Sequence, residues 1–316
     1  MNAKPKMQRY TKMDFDRQFP DDATCLEWLK NRLYPQGIHC KNCERVTKHH
    51  RVAKRQSYSC DHCGNHVHPT ADTIFHKSTT ALTTWFYAIY LMSSTRCGIS
   101  AKQIERETGV TYKTAWRMFK QIRKMLAEDG GPLGGPDSPG VEMDETYMGG
   151  VRKGVKGKPP AGDRKKTAVV GMVERKGRIR ALVAKDTTGA TLLGMVKEHI
   201  LPDTTVFTDE YRPYDGIGHM NNGYTHHRIK HSEKIYVVGN VHTNTVEGFW
   251  SLIKRGIGGV YHSVGTGYLQ SYLDEYSFRY NRRFDTQPMF ISFLNQVQKS
   301  ESGEMPSEGK TRSLAG

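Results

Sequence analysis

Two Cys-x2-Cys pairs, Cys40 with Cys43 and Cys60 with Cys63, stand sixteen residues apart in a chain of 316 residues. Each pair forms a short knuckle that turns two thiolates the same way, and two knuckles at this spacing close a tetrahedral four-sulfur site for zinc. A chain that must bring four side chains to one ion has little freedom between them, so the expected structure is a small metal-stapled ribbon. Disulfides are the competing use of the same residues. Against them stand a total of only six cysteines, no secretory signal pattern at the start and no apolar run of about 20 residues that could span a membrane. A reducing cytoplasm and Zn²⁺ follow. The two remaining cysteines, Cys25 and Cys97, are expected to be small buried hydrophobes. His39, His49, His50, His62, His66 and His68 crowd the same stretch and can in principle replace a thiolate, which four well-spaced cysteines make unnecessary.

Charge narrows the partner. With 47 Lys and Arg against 32 Asp and Glu, the net charge is +15, which favours a polyanion over a neutral metabolite or a membrane interior. Lys41, Arg45, Lys48, Arg51, Lys54 and Arg55 let the ribbon offer cations to a phosphate backbone. The alternative is a ribbon that packs on the protein or a partner subunit, its charges solvated. After an apolar helix over Leu82 to Met92, Ser100 is placed to cap Ala101 to Thr108 and Thr111 to cap Tyr112 to Leu126, with Gly109-Val110 as the turn. That pattern reads as helix-turn-helix. Its second helix carries Lys113, Arg117, Lys120, Arg123 and Lys124 beside Trp116 and Phe119, as a DNA-reading helix needs, although an ordinary amphipathic helix in a small bundle has the same pattern.

The organisation expected is an N-terminal segment with the ribbon over 14–76, a helix-turn-helix module over 80–128, a Gly/Pro-rich linker over 129–140, an α/β domain over 141–298 and a disordered polar tail over 299–316. Within the α/β domain, Val141 to Met148 reads as a strand. Lys166 to Glu174 and Arg178 to Lys185 read as a hairpin joined by Arg-Lys-Gly, and a helix over Ala190 to Ile200 precedes a strand over Thr204 to Asp209. A mixed sheet with helices follows. The basic stretch Gly149 to Lys166 is read as lying against DNA or as a solvated loop, and Ile217 to Asn240 has no clear pattern.

Three acids sit where such an arrangement can gather them: Asp144 within a strand, Asp209 at the end of another, and Glu247 at the opening of a helix, His242-Thr-Asn-Thr-Val-Glu-Gly-Phe-Trp-Ser-Leu-Ile-Lys-Arg255. Taken singly each is a surface charge like most acids, and Glu247 has a second role open to it in a capping box with Asn244. Together, on a basic chain, they suit metal-assisted phosphodiester chemistry. Two divalent ions about 3.5–4 Å apart can activate a hydroxyl and neutralise a leaving oxygen. Mg²⁺ or Mn²⁺ is held by hard carboxylate oxygens, with no need of Cys or His.

These segments, above all HTNTVEGFWSLIKRG at 242–256, resemble the DDE transposases of bacterial insertion sequences, in the group with an N-terminal zinc ribbon. The resemblance runs from about Asp14 to Gln298. It implies a ribonuclease-H-like catalytic domain, with Asp144, Asp209 and Glu247 as its first, second and third acids and 37 residues between the last two. It implies binding to terminal inverted repeats, nicking that frees a 3′-hydroxyl, and attack of that hydroxyl on target DNA without a covalent protein intermediate. Lys254 and Arg255 are then expected at DNA phosphates. Trp250 is expected either to stack on a base or to pack in the core. A homo-oligomer joining two ends and a nucleoid-associated cytoplasmic location are expected too. A DNA-binding regulator without catalysis, or a related nuclease, are the rival expectations.

Overall fold

The computed structural model describes residues 7–127, 130–149, 166–229 and 244–299. Contacts divide the chain into two compact units, one of residues 10–90 with 290–316, the other of residues 1–9 with 91–289. The expected basic segment at 150–165, the tail beyond 299 and the Asn244 cap lie outside the residues or side chains described.

The first unit begins with α1 (Lys12–Gln18) and α2 (Asp22–Leu33), each with a side-chain cap, from Thr11 and from Asp21. These caps satisfy N–H groups that a helix start leaves orphaned. Five short strands follow: β1 (Ile38–Cys40), β2 (Arg45–Thr47), β3 (His49–Arg51), β4 (Tyr58–Cys60) and β5 (His66–Val67). β1 and β2 form one antiparallel ribbon, and β3, β4 and β5 form another. Too few residues lie in these strands for a core of their own. Their apolar anchors are Ile38 and Tyr58, both buried, and the Tyr58 hydroxyl donates to Glu27 at 2.6 Å. The unit's core is instead aromatic. Phe15, Phe19, Phe75, Trp85, Phe86 and Phe290 pack edge-on or stacked. Trp85 and Phe86 belong to α3 (Leu82–Ser94).

In the second unit α4 (Ala101–Thr108) and α5 (Tyr112–Met125) are capped by Ser100 and Thr111, and Gly109 ends α4 at φ 71°. Those are the caps and the turn expected from the sequence. The sheet runs β10 (Thr225–Arg228), β9 (Thr205–Thr208), β6 (Val141–Met148), β7 (Thr167–Glu174), β8 (Ile179–Val183). β6, β7 and β8 are antiparallel, whereas β9 lies parallel to β6 and β10 parallel to β9. Alternation along β7 explains why both faces are covered. Val170 and Met172 meet Leu192 and Val196 of α6 (Gly189–His199), together with Tyr214 of the 3-10 segment Arg212–His219. Val169 and Val173 meet Val246, Phe249, Trp250 and Ile253 of α7 (Asn244–Gly256) and Leu269 and Leu273 of α8 (Thr266–Asn281). The four α7 residues fall at i, i+3, i+4 and i+7, one helical face. Burying each is worth about 1.5–3 kcal/mol.

Three expectations change. The stretch 130–140, read as a linker, is pinned to this unit: Leu133 is 2% exposed and pairs with Ile200, and Gly135 N–H donates to Thr204. Of the two cysteines outside the knuckles, Cys25 is buried as expected but Cys97 is exposed. Arg123, placed by its helical position on a DNA-facing stripe, is 1% exposed. Its Nε donates to Glu275 at 2.7 Å and its guanidinium lies 3.5 Å from the ring centroids of Phe119 and Tyr272. Arg279 holds the other Glu275 oxygen at 2.7 Å. Arg123 therefore ties α5 to α8 and has no face to offer a phosphate. The pattern misled because guanidinium stacking on rings lets Arg go inside where Lys does not.

Candidate active site

Asp144 lies in the middle of β6, and its position is set by what lies opposite. Its cross-strand partner on β7 is Gly171. A Cβ on Gly171 would fall 2.5 Å from the Trp250 indole. That bare position lets the indole of α7 come close against the sheet, where its Nε1–H donates to Asp144 Oδ2 at 2.8 Å. Trp250 is 4% exposed, so of the two roles open to it in the sequence the structure shows core packing, with a polar tip aimed at the carboxylate. Burial pushes Asp144 up to about 7, with Glu145 and Asp209 raising it further against the pull of the Trp250 N–H.

Asp209 follows directly on β9. The parallel register pairs Val141 with Val206 and Glu142 with Phe207; carried two residues on, just past the end of β9, the same count sets Asp209 opposite Asp144, near enough to raise its carboxyl. Asp209 Oδ1 accepts the Tyr211 N–H at 2.9 Å, which turns the chain away at the strand end. Glu247 sits in the first turn of α7. It lines, with Asp144, Glu145, Thr146, Trp250, Ser251, Lys254 and Arg255, an open cleft of about 580 Å³. Lys254 and Arg255 are exposed there. Glu247 and Lys254 are thus carried into one cleft by a helix whose opposite side is core.

Two residues that sequence reasoning passed over hold this geometry. Glu142 is 0% exposed. Its carboxylate accepts the N–H groups of Thr245 and Val246 at 3.0 and 3.3 Å, the Thr245 hydroxyl at 3.0 Å and Arg175 Nε at 3.0 Å. An acid on β6 therefore caps the helix that carries Glu247, where the helix dipole favours negative charge. Glu145 points to the other face and accepts the buried Tyr214 hydroxyl at 2.6 Å. Burial raises Glu145 above the usual carboxylate range. The signal for both was present in the run Glu-x-Asp-Glu, where a strand's two-residue period puts Glu142 beside Asp144.

The four cysteines converge. Among the described residues, they are the only set of three or more metal-ligating residue types whose donor atoms all lie within 4.8 Å. Cys40 and Cys63 sulfurs are 3.4 Å apart, Cys43 and Cys60 3.9 Å. A tetrahedron with Zn–S bonds of about 2.3 Å has S···S edges of about 3.8 Å, so the donor set fits zinc. Both knuckles close alike, with Glu44 N–H to Cys40 O and Gly64 N–H to Cys60 O, each at 2.9 Å. The Thr47 hydroxyl, 3.2 Å from its sulfur, is the main cause holding Cys60 down to about 5. The ribbon's Lys41, Arg45, Lys48, Arg51, Lys54 and Arg55 are all exposed, as are Lys113, Lys120 and Lys124 on α5, while Arg117 is half-buried.

Residues 132–281 match the ISXO2-like transposase domain, and residues 20–66 match the transposase zinc-ribbon domain. An uncharacterized protein in transposable element ISH50 of Halobacterium salinarum is 28% identical over 274 residues, 81% of this chain and 91% of that protein. An uncharacterized transposase-like protein of Haemophilus influenzae is 29% identical over 125 residues, 39% of this chain and 96% of that protein. The matched transposase domain spans β6 to α8 with every acid of the cleft and the ribbon match spans the four cysteines, so the chain joins a transposase zinc ribbon to an ISXO2-like transposase domain.

Proposed function

We propose that the protein is a DNA transposase that binds the ends of an insertion sequence, nicks each end and joins the freed 3′-hydroxyl to target DNA, with Asp144, Asp209 and Glu247 as its catalytic carboxylates. The observation that carries this is the level placement of Asp144 and Asp209 by the β6–β9 register, with α7 delivering Glu247 to the cleft that Asp144 lines. Strand order supports a ribonuclease-H-like domain: numbered along the chain, the five strands lie 5-4-1-2-3, with acids on the first strand, after the fourth and on a following helix.

The donors suit magnesium or manganese. Carboxylate oxygens are the hard ligands these ions take, and burial, helped by the neighbouring Glu145 and Asp209, lifts Asp144 to about 7, a penalty on its charge that a divalent cation would offset. The three carboxylates are not drawn within 4.8 Å of one another as the sulfurs are. With that spread, Asp144, Asp209 and Glu247 would together hold a pair of divalent ions rather than a single one. Bound there, the ions supply hydroxyl activation and charge neutralisation at the leaving oxygen. The chain's own part is positional. Trp250 holds Asp144, Glu142 holds the start of α7, and Lys254 and Arg255 meet phosphate oxygens. The helix pair α4–α5, through Lys113, Arg117, Lys120 and Lys124, grips the element end as a helix-turn-helix. The ribbon, stapled by zinc, adds its exposed cations. Joining two ends calls for at least two protomers.

Incubating the purified protein with a labelled element end and a supercoiled plasmid tests the reading, because only a transposase yields a joined product in Mg²⁺. Asp144→Asn, Asp209→Asn and Glu247→Gln should each abolish nicking and joining while leaving duplex binding within about twofold. A variant that still cuts at the wild-type rate removes that residue from the site, and nicking without joining reduces the protein to a nuclease.

A further inference from the structure

The unit that carries the sheet has a second opening, of about 450 Å³, between α4 and α5 on one side and residues 260–265 with α8 on the other. Its walls are aromatic. Tyr112 and Tyr268 are 51% and 43% exposed, and Trp116 stands at 5.7 Å and 85° to Tyr268. Cations flank the rings, with Lys102 and Lys120 each 5.7 Å from a ring centroid, of Tyr112 and Tyr268 respectively. Arg106 and His262 also line the opening, and His262 holds a left-handed backbone at φ 60°, uncommon for a residue with a side chain. Exposed tyrosines gathered around a cleft and edged with positive charge make a surface that selects for flat rings joined to anions.

We infer that this cleft takes an unpaired deoxynucleotide of the bound DNA, its base against Tyr112 and Tyr268 and its phosphates against Lys102, Arg106 and Lys120. The inference rests on the DNA-processing reading above and names a second contact for the same substrate. A paired base keeps its faces stacked in the helix, so only an unpaired one can offer them to tyrosine rings. The cleft volume lies in the range of small-ligand sites. Its position is informative as well. α7 runs from Glu247 in the carboxylate cleft into a π-helical turn, Ile257–Tyr261, which ends at this opening. Fourteen residues of helical rise, at about 1.5 Å each, give about 21 Å. That length corresponds to about six nucleotides at about 3.4 Å per nucleotide along one strand. The unpaired base is thus set about six nucleotides from the bond being cut.

The test uses the full-length protein with two probes: a twelve-residue oligothymidine carrying one 2-aminopurine, and a blunt duplex of equal length. Wild-type protein should bind the single strand and quench the 2-aminopurine. Tyr112→Ala and Tyr268→Ala should each weaken single-strand binding about tenfold and relieve the quench, a loss in the range of one stacked base. Both should leave duplex affinity and the melting temperature unchanged. Tyr112→Phe and Tyr268→Phe should bind as wild type, since the ring and not the hydroxyl is at work. Unchanged single-strand affinity in both alanine variants overturns the inference. Duplex binding by the wild type with no single-strand binding overturns it too, yet leaves the transposase reading standing. Binding of neither probe brings down the DNA reading and this one together.

Discussion

An indole N–H aimed at a half-buried carboxylate fixes its rotamer. Trp250 does this for Asp144, and Gly171 makes the room. Trp250→Phe keeps most of the packing and loses the hydrogen bond, so nicking should fall about 10- to 100-fold, as for other groups that orient metal ligands, with duplex binding unchanged. Gly171→Ala should have a similar or larger effect by displacing the ring. Nicking kinetics with end-labelled duplex read both, and wild-type rates in both variants would show that the contact is ornamental. Protonation gives a separate handle. The folded chain holds Asp144 at about 7 against an ordinary value of 3.8, so between these values it binds a proton that the unfolded chain releases. That contribution to stability is complete below the unfolded value and is lost as pH rises through about 7. Asp144→Asn cannot ionise, so in magnesium-free buffer it should raise the melting temperature by several degrees at pH 8 and by little at pH 5. An equal gain at both pH values would show that Asp144 does not titrate in this window.

At the scale of elements, α7 and α5 show how one strand or one salt bridge decides where a helix sits. Glu142 spans from β6 to the first N–H groups of α7 and to Arg175. Glu142→Ala strips all of these and leaves a guanidinium short of its partner, so urea denaturation should show a loss of about 3–5 kcal/mol. On α5 the cations divide by role. Arg123→Ala should lower stability by a similar amount without altering how duplex affinity depends on salt, while Lys113→Ala should leave stability alone and reduce the magnitude of the log–log salt slope by about 0.9 if it meets a phosphate. A shallower salt slope in Arg123→Ala would return that residue to the DNA face. The elements themselves were largely legible. Val141–Met148, the caps Ser100 and Thr111, and the Arg-Lys-Gly hairpin stand where periodicity and turn chemistry put them. β10 was not, because Thr-His-His-Arg has no apolar alternation and becomes a strand only by pairing with β9 at the edge of the sheet. Arg123 and the pinned 130–140 stretch escaped for the same reason: each is decided by tertiary partners far along the chain.

For the molecule as a whole, two kinds of cohesion coexist. The ribbon has five strands of two or three residues and four converging sulfurs. The sheet of the second unit is buried on both faces by apolar side chains. A zinc chelator should therefore abolish amide-exchange protection in the ribbon strands, 38–67, and leave the strands of the five-stranded sheet protected. Loss of protection across both would show that zinc supports more than the ribbon. The zinc site was readable because its ligands come in local pairs at fixed spacing. Asp144, Asp209 and Glu247 could be nominated from their segments, but the partners that aim them, Gly171, Trp250 and Glu142, were invisible until strand register was known.

That register has a consequence for how such a chain can change. Asp144 and Asp209 are brought level by a few ladder bonds between two parallel strands, and nothing in that arrangement counts the residues that travel between them. A peptide tag spliced into the connection from Met148 to Thr167 should leave catalysis intact. A slip of β9 by two residues would carry the second acid about 6.6 Å out of line. Insertions are thereby cheap and slippage is fatal, so length should drift among relatives wherever the ladder is not touched.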